Sequence, residues 1–334
     1  MRALIFNLFS FILIVSFSVN AQNLKIATYN IYFLDAGISP QRKANLQTVI
    51  QELDADVIGF EEIDNPAALK NILPENYAVA MIDDPEQVQE VALAVRAPLQ
   101  INSYKYIFPD TAYDYAFPRT RDLLQVNVTA YGEEFVFLIH HFKSRYGGRT
   151  NTDDRRVKAA AMIVDYIKGE LSGKNIILMG DFNDNPDDRT LNVLEYGDPF
   201  AKGGIDSLED SFLFNTSEKL LEKEYCSWGY NYHYKDITAD TFDLVVAGSR
   251  EENNKWRNKD YNYRKDVKIK EILFDQILVS LSLKDKVVDA GVFNGAAAVR
   301  GTKSRIKFTE KGVIYTRRGE FASDHVPVWV VLAF

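Results

Sequence analysis

The sequence predicts an α/β protein of two packed mixed β-sheets with helices on their outer faces. Three observations carry this expectation. Apolar runs of strand length recur along the chain, helical stripes separate only some of them, and several strand candidates follow one another directly. Strict alternation of strand and helix would favour one doubly wound parallel sheet, whereas a mixed order favours two sheets packed together.

Taken in order, Leu24 to Phe33 is a β-rich apolar stretch, and Asn45 to Leu53 carries Leu46, Val49, Ile50 and Leu53 at helical spacing. Asp56 to Ile63 returns to the pattern of a buried strand. Further strands are predicted at Val91 to Val95, Leu123 to Thr129, Phe135 to His141, Ile176 to Met179, Ile272 to Val279 and Val326 to Ala333. A helix with the stripe Val157, Ala160, Val164, Ile167 and Leu171 is expected to start at a cap on Thr152 or Asp153. The stretch from about 200 to 270 is polar, rich in Tyr and Asn and weakly periodic, so it reads as a loop-rich insertion in a single domain covering 22–334.

Residues 1–21 read as an export signal: Arg2, an apolar run from Ala3 to Val19, and small residues before Gln22. The run falls short of the roughly 20 residues that span a bilayer. No other segment has the length and apolarity to cross a membrane, so no stable membrane insertion is expected and the mature chain belongs in the periplasm or outside the cell. Cys226 is the only cysteine, which excludes an intrachain disulfide and leaves stability to the core. Hydrophobic residues at 46% and aromatics at 13% suit a large core. The formal charge of −8 becomes −9 once Arg2 is removed, so bulk charge does not grip a polyanion. A polyanionic substrate therefore needs a local basic face and a bound cation.

Chemistry-bearing residues gather where predicted strands end. Gly180-Asp181-Phe182-Asn183-Asp184 follows the apolar run Ile176 to Met179, and Ser323-Asp324-His325 precedes the last strand. Glu61 and Glu62 close the strand from Asp56, and Thr28-Tyr29-Asn30 puts an amide near the end of the first. Any one of these could be a turn made of Gly, Asp and Asn; their recurrence at strand ends points to a shared site.

In this order the sequence resembles the endonuclease/exonuclease/phosphatase superfamily, the deoxyribonuclease I-like group. The resemblance rests on Thr-Tyr-Asn at 28–30, Phe-Glu-Glu at 60–62, His-Phe-Lys-Ser at 141–144, Gly-Asp-Phe-Asn at 180–183, Phe-Asp-Gln-Ile-Leu-Val-Ser at 274–280 and Ser-Asp-His at 323–325. The stretch His141 to Gly148, with Arg155 and Arg156, looks most like the secreted bacterial branch. The resemblance implies a four-layered α/β sandwich and a metal-dependent phosphodiesterase that uses water attack. It implies Asn30, Glu62 and Asp324 as metal ligands for Mg²⁺, or Mn²⁺, through hard oxygen donors. Glu61 stands where relatives usually carry Gln and is not taken as a ligand.

The catalytic set implied is His325, His141, Asp181, Asn183 and Asp275, with Asp275 fixing the His325 tautomer. His141 contacts the phosphate or serves the leaving oxygen. Alternation along a strand sends His140 to the other face, so it is taken as structural. Glu90 is carried over as an orienting carboxylate for His141. Arg121, Lys143, Ser144 and Arg145 are the expected substrate donors. The basic run Lys303, Arg305, Lys307, Lys311, Arg317 and Arg318 reads equally as a solvated face or a phosphate-backbone contact. Tyr225, Trp228, Tyr230, Tyr232 and Tyr234 could pack within the insertion or stack on a substrate. DNA is the favoured substrate and a monomer is expected. Alternatives are a phospholipid, as in sphingomyelinases, an inositol phosphate, or a non-catalytic binding module.

Overall fold

The computed structural model describes residues 22–84, 87, 89–118, 121–146, 149–205, 210–223, 225–228, 272–293, 295, 306–309, 312–315 and 322–334. Residues 1–21, most of the expected insertion and most of the basic run lie outside the described residues.

Eight strands coincide with the apolar runs of the sequence. They are β1 (Asn23–Leu34), β2 (Val57–Ile63), β4 (Glu90–Arg96), β6 (Leu124–Ala130), β7 (Glu133–His141), β8 (Asn175–Asp181), β10 (Asp275–Ser280) and β14 (Val328–Ala333). Four more strands flank them: β3 (Tyr77–Met81), β5 (Gln100–Tyr106), β9 (Leu213–Asn215) and β11 (Val287–Val292). One sheet runs β11-β14-β1-β2-β4-β3 and the other β5-β6-β7-β8-β10-β9, with β12 (Ile306–Thr309) and β13 (Gly312–Tyr315) in a separate pair. Both large sheets mix parallel and antiparallel neighbours, because β1 and β2, like β7 and β8, run parallel while other pairs are antiparallel.

Alternation along the strands explains the layers. Leu24, Ile26 and Val57 of the first sheet meet Phe135, Phe137, Ile139, Ile177 and Met179 of the second in one shared core. The opposite faces turn outward: Ala27, Tyr29, Ile58 and Phe60 pack under helices α1 (Pro40–Leu53) and α2 (Pro66–Ile72). On the other side Val136, Leu138 and Leu178 pack under α3 (Arg149–Glu170) and α4 (Arg189–Tyr196). The result is helices, sheet, sheet and helices in four layers, as the sequence predicts. The described residues also include two short helices, α5 (Glu218–Glu222) and α6 (Leu281–Lys284).

Local sequence sets the helix ends. Ser39 accepts a hydrogen bond from the Arg42 N–H with Pro40 in the first turn, and Asn65 accepts one from the Ala68 N–H with Pro66 behind it. Helix α3 corrects the expectation. It begins at Arg149, so Thr152 and Asp153 lie within its first turns rather than capping it. Arg156, one turn further on, draws them inward by hydrogen-bonding both.

Arg42 is a structural residue that the sequence does not single out. It stands in α1 as an ordinary polar helix residue, yet it is fully buried. Its guanidinium donates to the carbonyls of Ile31, Tyr32 and Ala322, joining the C-terminal part of β1 to the segment before β14.

Two glycines let backbones approach. A Cβ on Gly59 would lie 2.7 Å from the Met179 methyl, where the two sheets come close. A Cβ on Gly180 would lie 1.9 Å from the His140 carbonyl oxygen, and Gly180 holds φ +146°. Gly180→Ala is therefore expected to lower the unfolding free energy by roughly 3 kcal/mol or more. Gly132→Ala, at φ +86° but with open space around the new methyl, should cost about 1 kcal/mol. Urea titration of both variants separates the clash from the dihedral, and equal losses would refute the clash.

Candidate active site

The polar site is the end of the core between the sheets. Along β7 the residues Phe135, Phe137 and Ile139 face that core, and the next inward position is His141. Strand register then lines up a row: His141 pairs with Asp181 across the parallel β7–β8 ladder, and Asp181 pairs with Asp275 across the antiparallel β8–β10 ladder. From the other sheet Asn30 pairs with Glu61 across β1–β2. Glu62 should point away from Glu61 by alternation. A register shift after Phe60 and a left-handed φ of +63° at Glu62 break that rule, and Glu62 lines the site. Tyr32, Phe33 and Asn183 also hold left-handed φ values of +51°, +47° and +53°, so backbone strain concentrates around this cleft.

Asp181 Oδ2 is the hub. It accepts from the Asn30 amide at 3.1 Å and lies 3.4 Å from His141 Nε2 and 3.9 Å from His325 Nε2. Its other oxygen accepts the Asn183 N–H at 2.8 Å. His325 Nδ1 sits 2.7 Å from Asp275 Oδ2, which also accepts the Ser227 hydroxyl at 2.6 Å. Ser227 in turn accepts the N–H groups of Phe274 and Asp275. It lies in the weakly periodic stretch, where no sequence signal marks it.

Charge follows from this crowding. Burial opposes the His325 cation, but the charge and hydrogen bond of Asp275, with Asp181 and Asp324, outweigh it and push the pKa up to about 10. Burial and then the Arg121 cation hold His141 well below the ordinary histidine range. Burial raises the Asp181 carboxyl, and burial with Asp275 holds Glu61 well above the usual carboxylate range.

Two carboxylates suit a cation. Glu62 Oε2 and Asp324 Oδ1 are buried and without a hydrogen-bond partner, and both residues line the cleft. Such hard oxygens fit a divalent ion that keeps several waters. Asn30 fits differently. Its Oδ1 accepts the Tyr32 N–H at 3.0 Å and its Nδ2 donates to Glu62 and Asp181, so the amide holds two carboxylates in place. Among the described residues no group of three or more His, Cys, Asp or Glu converges as a ligand cage.

The cleft has a volume of about 270 Å³. Its floor carries Glu62, His141, Asp181, Asn183, Asp324 and His325. Its walls are aromatic: Tyr32, Phe33, Tyr146, Trp228 and Phe274. Of these, only Trp228 stands among the aromatics singled out from sequence. Tyr225 packs instead against the core between the first sheet and helices α1 and α2, and the other three tyrosines of that group lie outside the described residues.

Of the expected substrate donors, Arg121 and Ser144 line the cleft, Arg121 while bonded to the Phe142 carbonyl and Gln89. Lys143 does not line it. Its ammonium turns onto the Ser144 carbonyl and hydroxyl. Arg145 reaches the cleft wall, but its Nε donates to the Asn183 carbonyl and its Nη2 to Asp184 and Asp188. Glu90 does not orient His141. Its carboxylate accepts the Asp84 N–H. His140 is buried on the helix side, with ring centroids 4.4 Å from Phe142 and 5.0 Å from Phe117.

The fold and its site define a class, a two-sheet sandwich with acids and histidines converging between the sheet ends. The family model described as Endonuclease/Exonuclease/phosphatase family matches residues 40–257, and the chain belongs to that family. It is accordingly a hydrolase of phosphoric ester bonds, from a family whose enzymes generally work with divalent metal ions. The match leaves Thr28–Asn30, Asp275 and Ser323–His325 outside its bounds. Three solved structures share the fold. A mannosyl-6-phosphatase of Bacteroides thetaiotaomicron aligns at 18% identity over 93% of this chain and 100% of its own, with a TM-score of 0.58. D. rerio TDP2 complexed with a single-strand DNA product aligns at 17% over 92% and 98%, with a TM-score of 0.57. A second B. thetaiotaomicron protein of the family aligns at 18% over 94% and 99%, also at 0.57. No curated protein matches in sequence.

Burial, and then Arg121, push the His140 pKa down to about 3. The unfolded chain takes up this proton below about pH 6.5 while the folded chain does not, so the contribution is whole above pH 6.5 and drains away towards pH 3. The slope approaches about 1.4 kcal/mol per pH unit. In His140→Phe, urea unfolding between pH 7.5 and 4.5 should show a shallower loss. An unchanged slope would mean His140 is not held neutral.

Proposed function

We propose that the protein is an exported, Mg²⁺-dependent phosphodiesterase acting on DNA within one domain covering 22–334. The observation that carries the catalytic part is Asp181 Oδ2 lying within 4 Å of the Nε2 atoms of both His141 and His325. Glu62 and Asp324 would hold the cation through their unpartnered oxygens, and Mn²⁺ could replace Mg²⁺ there. When bound, the ion supplies positive charge to the phosphoryl oxygens.

The chain's own residues divide the remaining work. Asp181, raised in pKa and anchored by the Asn183 N–H, accepts the proton of the attacking water. Asn183, with its backbone fixed at φ +53° beside Asp181, faces the cleft and holds a phosphate oxygen. His325, kept charged by Asp275, stabilises the negative charge that develops on the phosphoryl group. His141 is neutral, and its Nε2 faces the carboxylates, so it offers a donor towards the phosphate or the leaving oxygen. Arg121 and Ser144 border the same cleft as substrate contacts.

DNA is favoured because the aromatic walls offer stacking faces for unpaired bases, the contact expected of single-strand binding. The TDP2 structure with its single-strand DNA product shares the fold and supports the same choice. A second reading, hydrolysis of a sugar monophosphate, draws on the small cleft and on the mannosyl-6-phosphatase with the same fold. The apolar run in residues 1–21 motivates export, and sequencing the N-terminus of the protein recovered from a bacterial periplasm tests it. Recovery with Met1 intact would refute cleavage.

The activity test uses plasmid DNA, a single-stranded oligonucleotide, a hexose 6-phosphate, sphingomyelin and an inositol phosphate, each with Mg²⁺ and with EDTA. DNA cleavage that EDTA abolishes is expected, and His325→Ala should lower kcat by about 100-fold or more. Turnover of the hexose phosphate alone would move the assignment to the second reading. Turnover that survives EDTA would overturn the metal, and silence on every substrate would return the chain to a binding role.

A further inference from the structure

Behind the cleft lies a buried network of charges that the reaction as described does not use. Asp184 has both oxygens occupied: Oδ1 accepts Arg145 Nη2 at 2.9 Å, while Oδ2 accepts Arg156 Nε at 2.8 Å and the Thr190 hydroxyl at 2.6 Å. Asp188, at the head of α4, accepts the same Arg145 Nη2 at 2.6 Å and the Asn185 N–H at 2.8 Å. Each of these charged residues is at most 4% exposed. Buried ion pairs give little net stability, because desolvation offsets the attraction, so energy alone does not account for the cluster.

Its geometry does. Arg145 Nε donates to the Asn183 carbonyl at 2.7 Å, and its guanidinium lies 5.1 Å from the centre of the Phe274 ring. Asn183 holds a left-handed φ of +53°, a conformation that persists only where its surroundings enforce it. The same residue donates its N–H to Asp181 Oδ1, so the carbonyl that Arg145 grips and the carboxylate at the centre of the site are two ends of one short turn.

We propose that Arg145 is a positioning residue: by clamping the Asn183 carbonyl to Asp184 and Asp188 it fixes the turn that aims Asp181 and Asn183 into the cleft. The inference rests on the catalytic reading of those two residues. It replaces the phosphate-binding role expected of Arg145 from sequence with one exerted through the backbone. Lysine is not equivalent, since its three N–H donors radiate from one nitrogen, whereas the planar guanidinium sets Nε against the Asn183 carbonyl and Nη2 against the two carboxylates at fixed, separate points.

The test combines kinetics with a measurement that needs no turnover. With bis(p-nitrophenyl) phosphate and Mg²⁺, Arg145→Met should lower kcat by roughly tenfold or more and leave KM within about twofold, and Arg145→Lys should not rescue it. In the unliganded protein, amide exchange at Asn183 should accelerate about tenfold in both variants while the β7 and β8 core amides stay protected. If Arg145→Met does not fold, Asp188→Asn, which removes one anchor of the clamp, is measured in the same way. A raised KM with unchanged kcat, or rescue by lysine, would show a substrate contact and overturn the proposal. Unchanged exchange at Asn183 would overturn it as well. An inactive parent protein would defeat the catalytic reading, and the exchange data would still decide whether Arg145 sets the turn.

Discussion

The structure is organised around one alignment, the row of His141, Asp181 and Asp275 across three neighbouring strands. Register in a sheet is all or nothing, because a slip of one residue sends every side chain to the opposite face. A slip in β7 would replace His141 with His140, whose present place is among Phe117 and Phe142. The same register that closes the core between the sheets therefore brings the ionisable groups together. Gly180 belongs to this constraint, since its lack of a side chain leaves room for the His140 carbonyl in the neighbouring strand.

The alignment concentrates negative charge. Glu61, Glu62, Asp181 and Asp324 all have carboxyl pKa values raised, first by burial, and Asp275 sits beside them with no exposure. Part of the repulsion is met by His325 and part by neutral donors such as Thr28 and Asn30. Of the carboxylates left with an unpartnered oxygen, which include Glu61 and Asp275, Glu62 and Asp324 are the ones that line the cleft. A family that works with divalent ions has in this chain an acidic pair matched to that need.

Legibility in the sequence followed burial. The eight strands read from apolar runs are the interior strands of the two sheets, while β3, β5, β9 and β11, which were not read, are the four edges. Edge strands carry polar residues on exposed positions, as in Gln100–Tyr106, and lose the apolar signature. At the site, Asp181 and His141 were legible because each closes an apolar strand, where polarity is conspicuous, whereas Asp275, inside the expected strand Ile272 to Val279, was marked only by the family resemblance. Ser227 and Arg42 were not, because their partners lie 48 and up to 280 residues away and no local pattern marks such contacts. Arg145 was legible as a charge but not in its direction, which is set by Asp184 and Asp188 on another loop.

The pairing of β14 between β1 and β11 has a further consequence for how the molecule comes into being. Asp324 and His325 immediately precede β14, so they reach the site only when that strand inserts between partners drawn from the first and last thirds of the chain. Loop closure over such a span is slow compared with local pairing. The second sheet draws its His141–Asp181–Asp275 row from strands within residues 100–280, whereas the first sheet joins strands from opposite ends of the described chain, so the two sides of the cleft differ sharply in the sequence separation their pairing must bridge.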